Sequence, residues 1–91
     1  MDGQRLVAWN LRRWRVHRML SQEKLAVDAK VDRTYVSSLE RGKQNPTVEL
    51  LERLAEALSI PLSALFEEPD SDEPAPMPLR AGRKAIKVDR S

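Results

Sequence analysis

The chain has 91 residues, one modest domain's worth, with a net charge of +2 and no cysteine, so disulfides and thiolate metal sites are excluded. A single histidine, His17, leaves almost nothing for imidazole ligation or acid–base work, and no carboxylate pair, nucleophile with its base, glycine-rich phosphate loop or metal cluster is legible. No catalysis, metal or cofactor is therefore expected, and the longest apolar run, Leu6 to Trp9, is far below the roughly 18 residues of a membrane span, so a cytoplasmic protein without a membrane partner is expected.

Helix 1 is predicted from about Gln4 to Met19, because Val7, Leu11 and Trp14 fall at i, i+4 and i+7 and make one buried stripe. Leu6, Trp9 and Val16 mark a second, narrower stripe, which packs inward or, where Trp9 is exposed, faces a partner. Helix 2 opens at Ser21, whose hydroxyl can cap free amides, with Glu23 near the positive end of the helix, and it runs to about Asp28. Ala26 is small where the next helix crosses, and Leu25 and Val31 supply apolar contacts around the turn.

Asp32 caps a third helix, about Asp32 to Arg41, with a narrow inward face of Val36 and Leu39. Thr34, Ser37, Ser38 and Arg41, spaced i, i+3, i+4 and i+7, make a polar outward face with Arg33 beside it. Gly42 ends this helix, where a residue tolerant of positive φ is expected. Pro46 and Thr47 begin a fourth helix with Leu50, Leu51, Leu54, Ala55 and Leu58 on its apolar side and Glu49, Glu52, Arg53 and Glu56 on its wet side. A short fifth helix starts around Pro61 and buries Leu62, Leu65 and Phe66. The expected fold is all-α: a compact five-helix domain over residues 1–68.

Residues 69–91 carry Pro69, Pro74, Pro76 and Pro78, an acidic opening (Asp70, Asp72, Glu73) and a basic end (Arg80, Arg83, Lys84, Lys87, Arg90). With few large apolar groups, this tail is expected to be disordered when unbound. Charge elsewhere is also uneven. Before residue 49 there are ten cations (Arg5, Arg12, Arg13, Arg15, Arg18, Lys24, Lys30, Arg33, Arg41, Lys43) against five anions (Asp2, Glu23, Asp28, Asp32, Glu40), a local balance of +5 that suits a nucleic-acid partner.

The string Ser21-Gln22-Glu23-Lys24-Leu25-Ala26, then Val31 through Tyr35, then Leu39-Glu40-Arg41-Gly42-Lys43-Gln44-Asn45-Pro46, resembles the Cro and phage-repressor helix-turn-helix family, often called XRE. The resemblance continues from Leu50 to Phe66, about two-thirds of the chain. It implies a lambda-repressor-like domain that binds operator DNA, usually as a homodimer, and regulates transcription. It also implies that Arg15 of helix 1 pairs with Glu40 as a structural ion pair, and that Gln22 packs against the reading helix. One departure lies in the turn between helices 2 and 3, where relatives commonly have glycine and this chain has Lys30. A non-glycine residue held left-handed there costs on the order of 1 to 2 kcal/mol.

On this reading helix 3 enters the major groove of double-stranded DNA. The expected base contacts are Arg33, whose guanidinium can make two parallel bonds to guanine, and Thr34, Ser37 and Ser38, whose hydroxyls do not by themselves name a base. Arg33 has the alternative of a phosphate contact, and the Thr34 methyl that of touching thymine. Expected phosphate contacts are Gln22, Tyr35, Arg41, Lys43, Asn45 and Thr47, with Tyr35 equally suited to packing half-buried beside Val36. A two-fold interface is expected from Ile60, Leu62, Leu65 and Phe66, which otherwise only close the core of the monomer. Function then divides between an autonomous regulator, such as the controller of a restriction-modification locus, and an antitoxin whose tail folds onto a toxin. A third alternative is an adaptor whose helices contact only protein.

Overall fold

The computed structural model describes residues 2–69, which form four α-helices and one short 3-10 helix in the order α1 Gly3–His17, α2 Gln22–Ala29, α3 Arg33–Glu40, α4 Val48–Leu58 and a 3-10 helix Leu62–Phe66. Each α-helix begins where a side-chain oxygen accepts an otherwise unpaired backbone N–H. Asp2 accepts from Arg5 (2.8 Å), Ser21 from Lys24 (2.9 Å), Asp32 from Thr34 (3.4 Å) and Thr47 from Leu50 (3.1 Å). Three of these four caps stand where the sequence placed a helix start; Asp2 opens α1 slightly earlier than expected.

The helices end on left-handed residues. Met19, Lys30 and Ser59 have φ of 60°, 62° and 58°, and Gly42 has φ of 73°. After α1 the Leu20 N–H donates to the Arg15 carbonyl (3.0 Å), and after α4 the Ile60 N–H donates to the Ala55 carbonyl (3.0 Å), closing both ends. Only Gly42 makes this conformation without a steric cost.

The core lies between α1, α4 and the α2–α3 pair. Leu11, Leu25, Val36, Leu39, Leu54 and Leu65 have no solvent exposure, and Leu58 has 1%. Each such residue contributes about 1.5–3 kcal/mol relative to exposure, so this set supplies most of the drive to fold. Trp14, Val31, Tyr35, Leu50 and Leu62 pack around the rim. Trp9 is half-buried, with the Arg13 guanidinium 5.1 Å above its ring and 5.0 Å from that of Trp14. The stripe that could have met a partner is therefore partly covered by the chain's own arginine.

The expected fifth α-helix is instead a single 3-10 helix of five residues, Leu62–Phe66. What limits its length is visible in Asn10, a fully buried polar residue on α1. Its side-chain Nδ2 donates to the carbonyls of Leu65 (3.1 Å) and Glu67 (2.8 Å), as well as to Leu6 (3.1 Å). Acceptors at the end of the segment are thus taken by α1 rather than by further helical turns. Pro69, which has no N–H, stands two residues beyond.

Among the described residues no helix is long and apolar enough to cross a membrane, and no group of histidine, cysteine, aspartate and glutamate could hold a metal. The expectations of a disordered tail and of a protein partner for it fall on residues 70–91, outside the described residues.

Candidate nucleic-acid interface

α2 and α3 are joined by three residues, Lys30 to Asp32, and pack against each other and against α1 and α4. α3 is eight residues long, about 12 Å at 1.5 Å per residue. That length matches the roughly 12 Å width of the B-DNA major groove. Val36 and Leu39 are wholly buried, which fixes the rotation of the helix about its axis. With that side inward, Arg33 and Thr34 are exposed and Ser37 and Ser38 half-exposed. The arrangement is a consequence of helical periodicity: the buried pair and the polar set occupy opposite sides of a helix of about two turns.

The two serine hydroxyls on this face are held. Arg41 Nη1 donates to Ser37 Oγ at 2.6 Å, and Gln44 Nε2 donates to Ser38 Oγ at 3.1 Å. Gln44 was not among the residues expected from the sequence to matter, because an amide six positions away contributes to a helix face only through the fold of the following loop. That loop is drawn back by the Lys43 N–H, which donates to the Ser38 carbonyl at 3.1 Å. Arg41, Lys43, Asn45 and Thr47 are all exposed. The Thr47 hydroxyl also caps α4, accepting from the Leu50 N–H. Tyr35 is half-buried against the core, the packing alternative.

The end of α3 is tied to α1 by a buried charge pair and to α2 by a side-chain amide. Arg15 Nε donates to Glu40 Oε2 at 2.5 Å and Nη2 donates to Glu40 Oε1 at 3.0 Å, with the two side chains 8% and 3% exposed. Arg15 Nη1 also donates to the Leu20 carbonyl (2.7 Å), and Gln22 Nε2 donates to Glu40 Oε1 (3.0 Å). Gln22 therefore packs onto the end of α3 with its amide committed inside the protein. Glu40 is consumed in this network, so the outward face of α3 carries no free acid.

The residues expected at a two-fold interface are separated by the fold. Leu65 is wholly buried and Ile60 is 9% exposed, so both belong to the monomer's core. Leu65 is not available to a second chain, because the 3-10 helix turns it inward while Asn10 pins its carbonyl. Leu62 is half-buried, and Phe66 is 44% exposed.

Two helices at a fixed angle, the second presenting arginine and hydroxyls outward, define a helix-turn-helix. A family model described as Helix-turn-helix, HTH_3, matches residues 11–65, and the chain belongs to that family. It is 43% identical over 60 residues to an uncharacterized HTH-type transcriptional regulator, y4dJ, of Sinorhizobium fredii, covering 66% of this chain and 78% of that one. Among solved structures it is similar to a hypothetical transcription factor, NHTF, from Neisseria, with TM-score 0.72, 38% identity, and 75% and 78% of the two chains covered. It is also similar to the restriction-modification controller protein C.Esp1396I, solved as a tetramer in complex with its natural 35 base-pair operator. There the TM-score is 0.67 at 29% identity, covering 72% of this chain and 87% of that one.

Proposed function

We propose that this protein is a transcription regulator that binds duplex DNA sequence-specifically, seating α3 in the major groove. The observation that carries the reading is the division of α3: Val36 and Leu39 have zero exposure, while Arg33, Thr34, Ser37, Ser38 and Arg41 form a polar outward side. The operator complex of the similar controller protein supports it. Arg33 stands in the first turn, where a forked donor meets guanine N7 and O6, and Thr34, Ser37 and Ser38 lie along the same side. Lys43, Asn45 and Thr47 flank them as phosphate contacts, and Arg41 joins the two sets by holding Ser37. Gln22 and Tyr35 complete the proposed phosphate set, Gln22 through the part of its amide that Glu40 leaves free and Tyr35 through its hydroxyl.

One eight-residue helix covers only a few base pairs, so the functional unit is a homodimer whose two α3 helices meet half-sites about 34 Å apart. Phe66 and Leu62 are the apolar residues proposed for the two-fold contact. On this reading the protein acts in the cytoplasm, by binding DNA rather than by catalysis.

Selection from a pool of random-sequence duplexes tests the reading directly. The chain should retain a palindromic sequence and bind it at least ~10³-fold more tightly than random DNA at physiological salt. Retention of no sequence preference, or a selected sequence unaffected when Arg33, Thr34, Ser37 and Ser38 are all replaced by alanine, would remove it.

A further inference from the structure

Lys30 closes α2 with φ 62° and ψ 46°, a left-handed conformation that side chains with a Cβ resist. Backbone amides satisfy one side of this turn: the Lys30 N–H donates to the Val27 carbonyl at 3.2 Å, and the Val31 N–H donates to the Ala26 carbonyl at 2.9 Å. The other side, the carbonyls of Ala29 and Lys30, lies beyond the helix's own ladder. Both are taken by one residue of α4. Arg53 Nε donates to the Ala29 carbonyl at 3.2 Å, and Arg53 Nη2 donates to the Lys30 carbonyl at 2.6 Å.

A guanidinium has only donors, set in a rigid fork, so two neighbouring carbonyls gripped by it are fixed in direction as well as distance. Its charge also stands at the negative end of α2, where a cation is favoured. Arg53 itself is carried on a well-anchored element, since Leu51, Leu54, Ala55 and Leu58 of α4 are buried in the core. Lys30 is followed by two residues and then by Arg33, the first residue of α3. A change in the Lys30 backbone therefore swings the start of the reading helix.

We propose that Arg53 is a positioning residue for DNA reading: it holds the left-handed turn at Lys30 and thereby the angle between α2 and α3. The assignment rests on the DNA-binding function proposed above. Glycine at position 30 would enter the same conformation without support. Coupling between positions 53 and 30 is consequently the signature that separates this role from general support of the fold.

The test uses the full chain and two probes, the duplex that the wild-type chain selects from a random pool and a random-sequence duplex. Arg53→Met should bind the selected duplex about tenfold more weakly, the order expected when one strained backbone residue is released. Random-duplex binding should stay within about twofold, with an unchanged salt slope, because no phosphate contact is lost. Adding Lys30→Gly should return the selected-duplex affinity to within about threefold of wild type. Arg53→Lys, which keeps the charge and loses the fork, should fall between, and it serves as the variant if Arg53→Met does not fold.

Two results overturn the proposal. Equal losses on both duplexes with a shallower salt dependence would make Arg53 a phosphate contact. A loss that Lys30→Gly leaves unrepaired would make it a general support. Amide exchange at Val31 in the free protein reads the turn without DNA; it should quicken in Arg53→Met and slow again when Lys30→Gly is added. If the wild-type chain selects no sequence, the DNA reading falls, and the exchange result alone decides whether Arg53 governs the turn.

Discussion

Replacing Glu40 with alanine removes one partner of a charge pair that water barely reaches, since the side chains of Arg15 and Glu40 are 8% and 3% exposed. Two Arg15 bonds and the Gln22 bond to the carboxylate vanish together, and only the Arg15 bond to the Leu20 carbonyl survives. An arginine stranded in this way costs about 3–5 kcal/mol. A domain of roughly 70 residues at ~0.05–0.15 kcal/mol per residue has some 3.5–10 kcal/mol in total, so the variant should lose a large share of its stability. Thermal and urea unfolding followed by far-UV circular dichroism would measure it. Each kilocalorie moves the midpoint of a domain this size by about 4–8 °C, so a fall of ~12 °C or more is expected. The double replacement Arg15→Met with Glu40→Leu should recover most of the loss, because it strands no charge. The reasoning fails if Glu40→Ala costs less than ~1 kcal/mol, the value of an exposed pair, or if the double variant is as unstable as the sum of the two singles.

Arg33→Ala should leave the unfolding midpoint unchanged and reduce discrimination between selected and random duplexes by about 1–3 kcal/mol in a competition binding assay; equal weakening on both would deny it a base. Lys43→Ala, at an exposed position on the flank of α3, should weaken both duplexes alike and lower the slope of log affinity against log salt by about 1, a change read by fluorescence anisotropy at several salt concentrations. Phe66→Ala and Leu65→Ala, one residue apart, should part company. The first, 44% exposed, should shift sedimentation equilibrium toward monomer with little loss of stability, whereas the second, wholly buried, should cost about 2–5 kcal/mol of folding free energy. A Phe66 variant that stays dimeric would move the interface elsewhere.

Much of this architecture was legible because each helix states its own limits locally. Ser21, Asp32 and Thr47 announce their helices by a hydroxyl or carboxylate followed by helical periodicity, and all three cap in the structure. Gly42 is left-handed as its place after α3 leads one to expect, and Lys30, where the family resemblance implies a glycine, is left-handed too. The inward and outward sides of α3 follow from spacing alone. What the sequence hid depends on contacts between distant residues. Asn10 interrupts the apolar side of α1, a signal that something polar must be satisfied there, but its partners lie 55 and 57 positions away. The same residue takes up the carbonyls at the end of the 3-10 helix and so limits its length. Leu65 and Phe66 looked alike as apolar neighbours, and only the path of that turn sends one inward and the other outward. Arg53 was read as part of a solvated face, because nothing adjacent to it reveals two carbonyls on another helix.

An isolated helix of eight residues is not stable in water, where roughly 12 to 15 are needed even for strong helix formers. α3 therefore has no shape of its own to offer DNA; its straightness and direction come from the atoms that hold it. Those are few and separable: Val36 and Leu39 in the core, Arg15 and Gln22 on Glu40 at its end, Asp32 at its start, and the turn at Lys30 gripped by Arg53. The apolar pair fixes rotation about the axis, whereas the polar ties at the two ends fix tilt and the depth to which Arg33 can reach. It follows that sequence preference in this protein can change without any change on the outward face. On the proposed reading, substitutions at Arg15, Gln22, Lys30 or Arg53 alter where the same donors sit, and a misplacement near 1 Å is enough to break a contact in which the Arg33 guanidinium donates two bonds to guanine N7 and O6, each within about 3.2 Å.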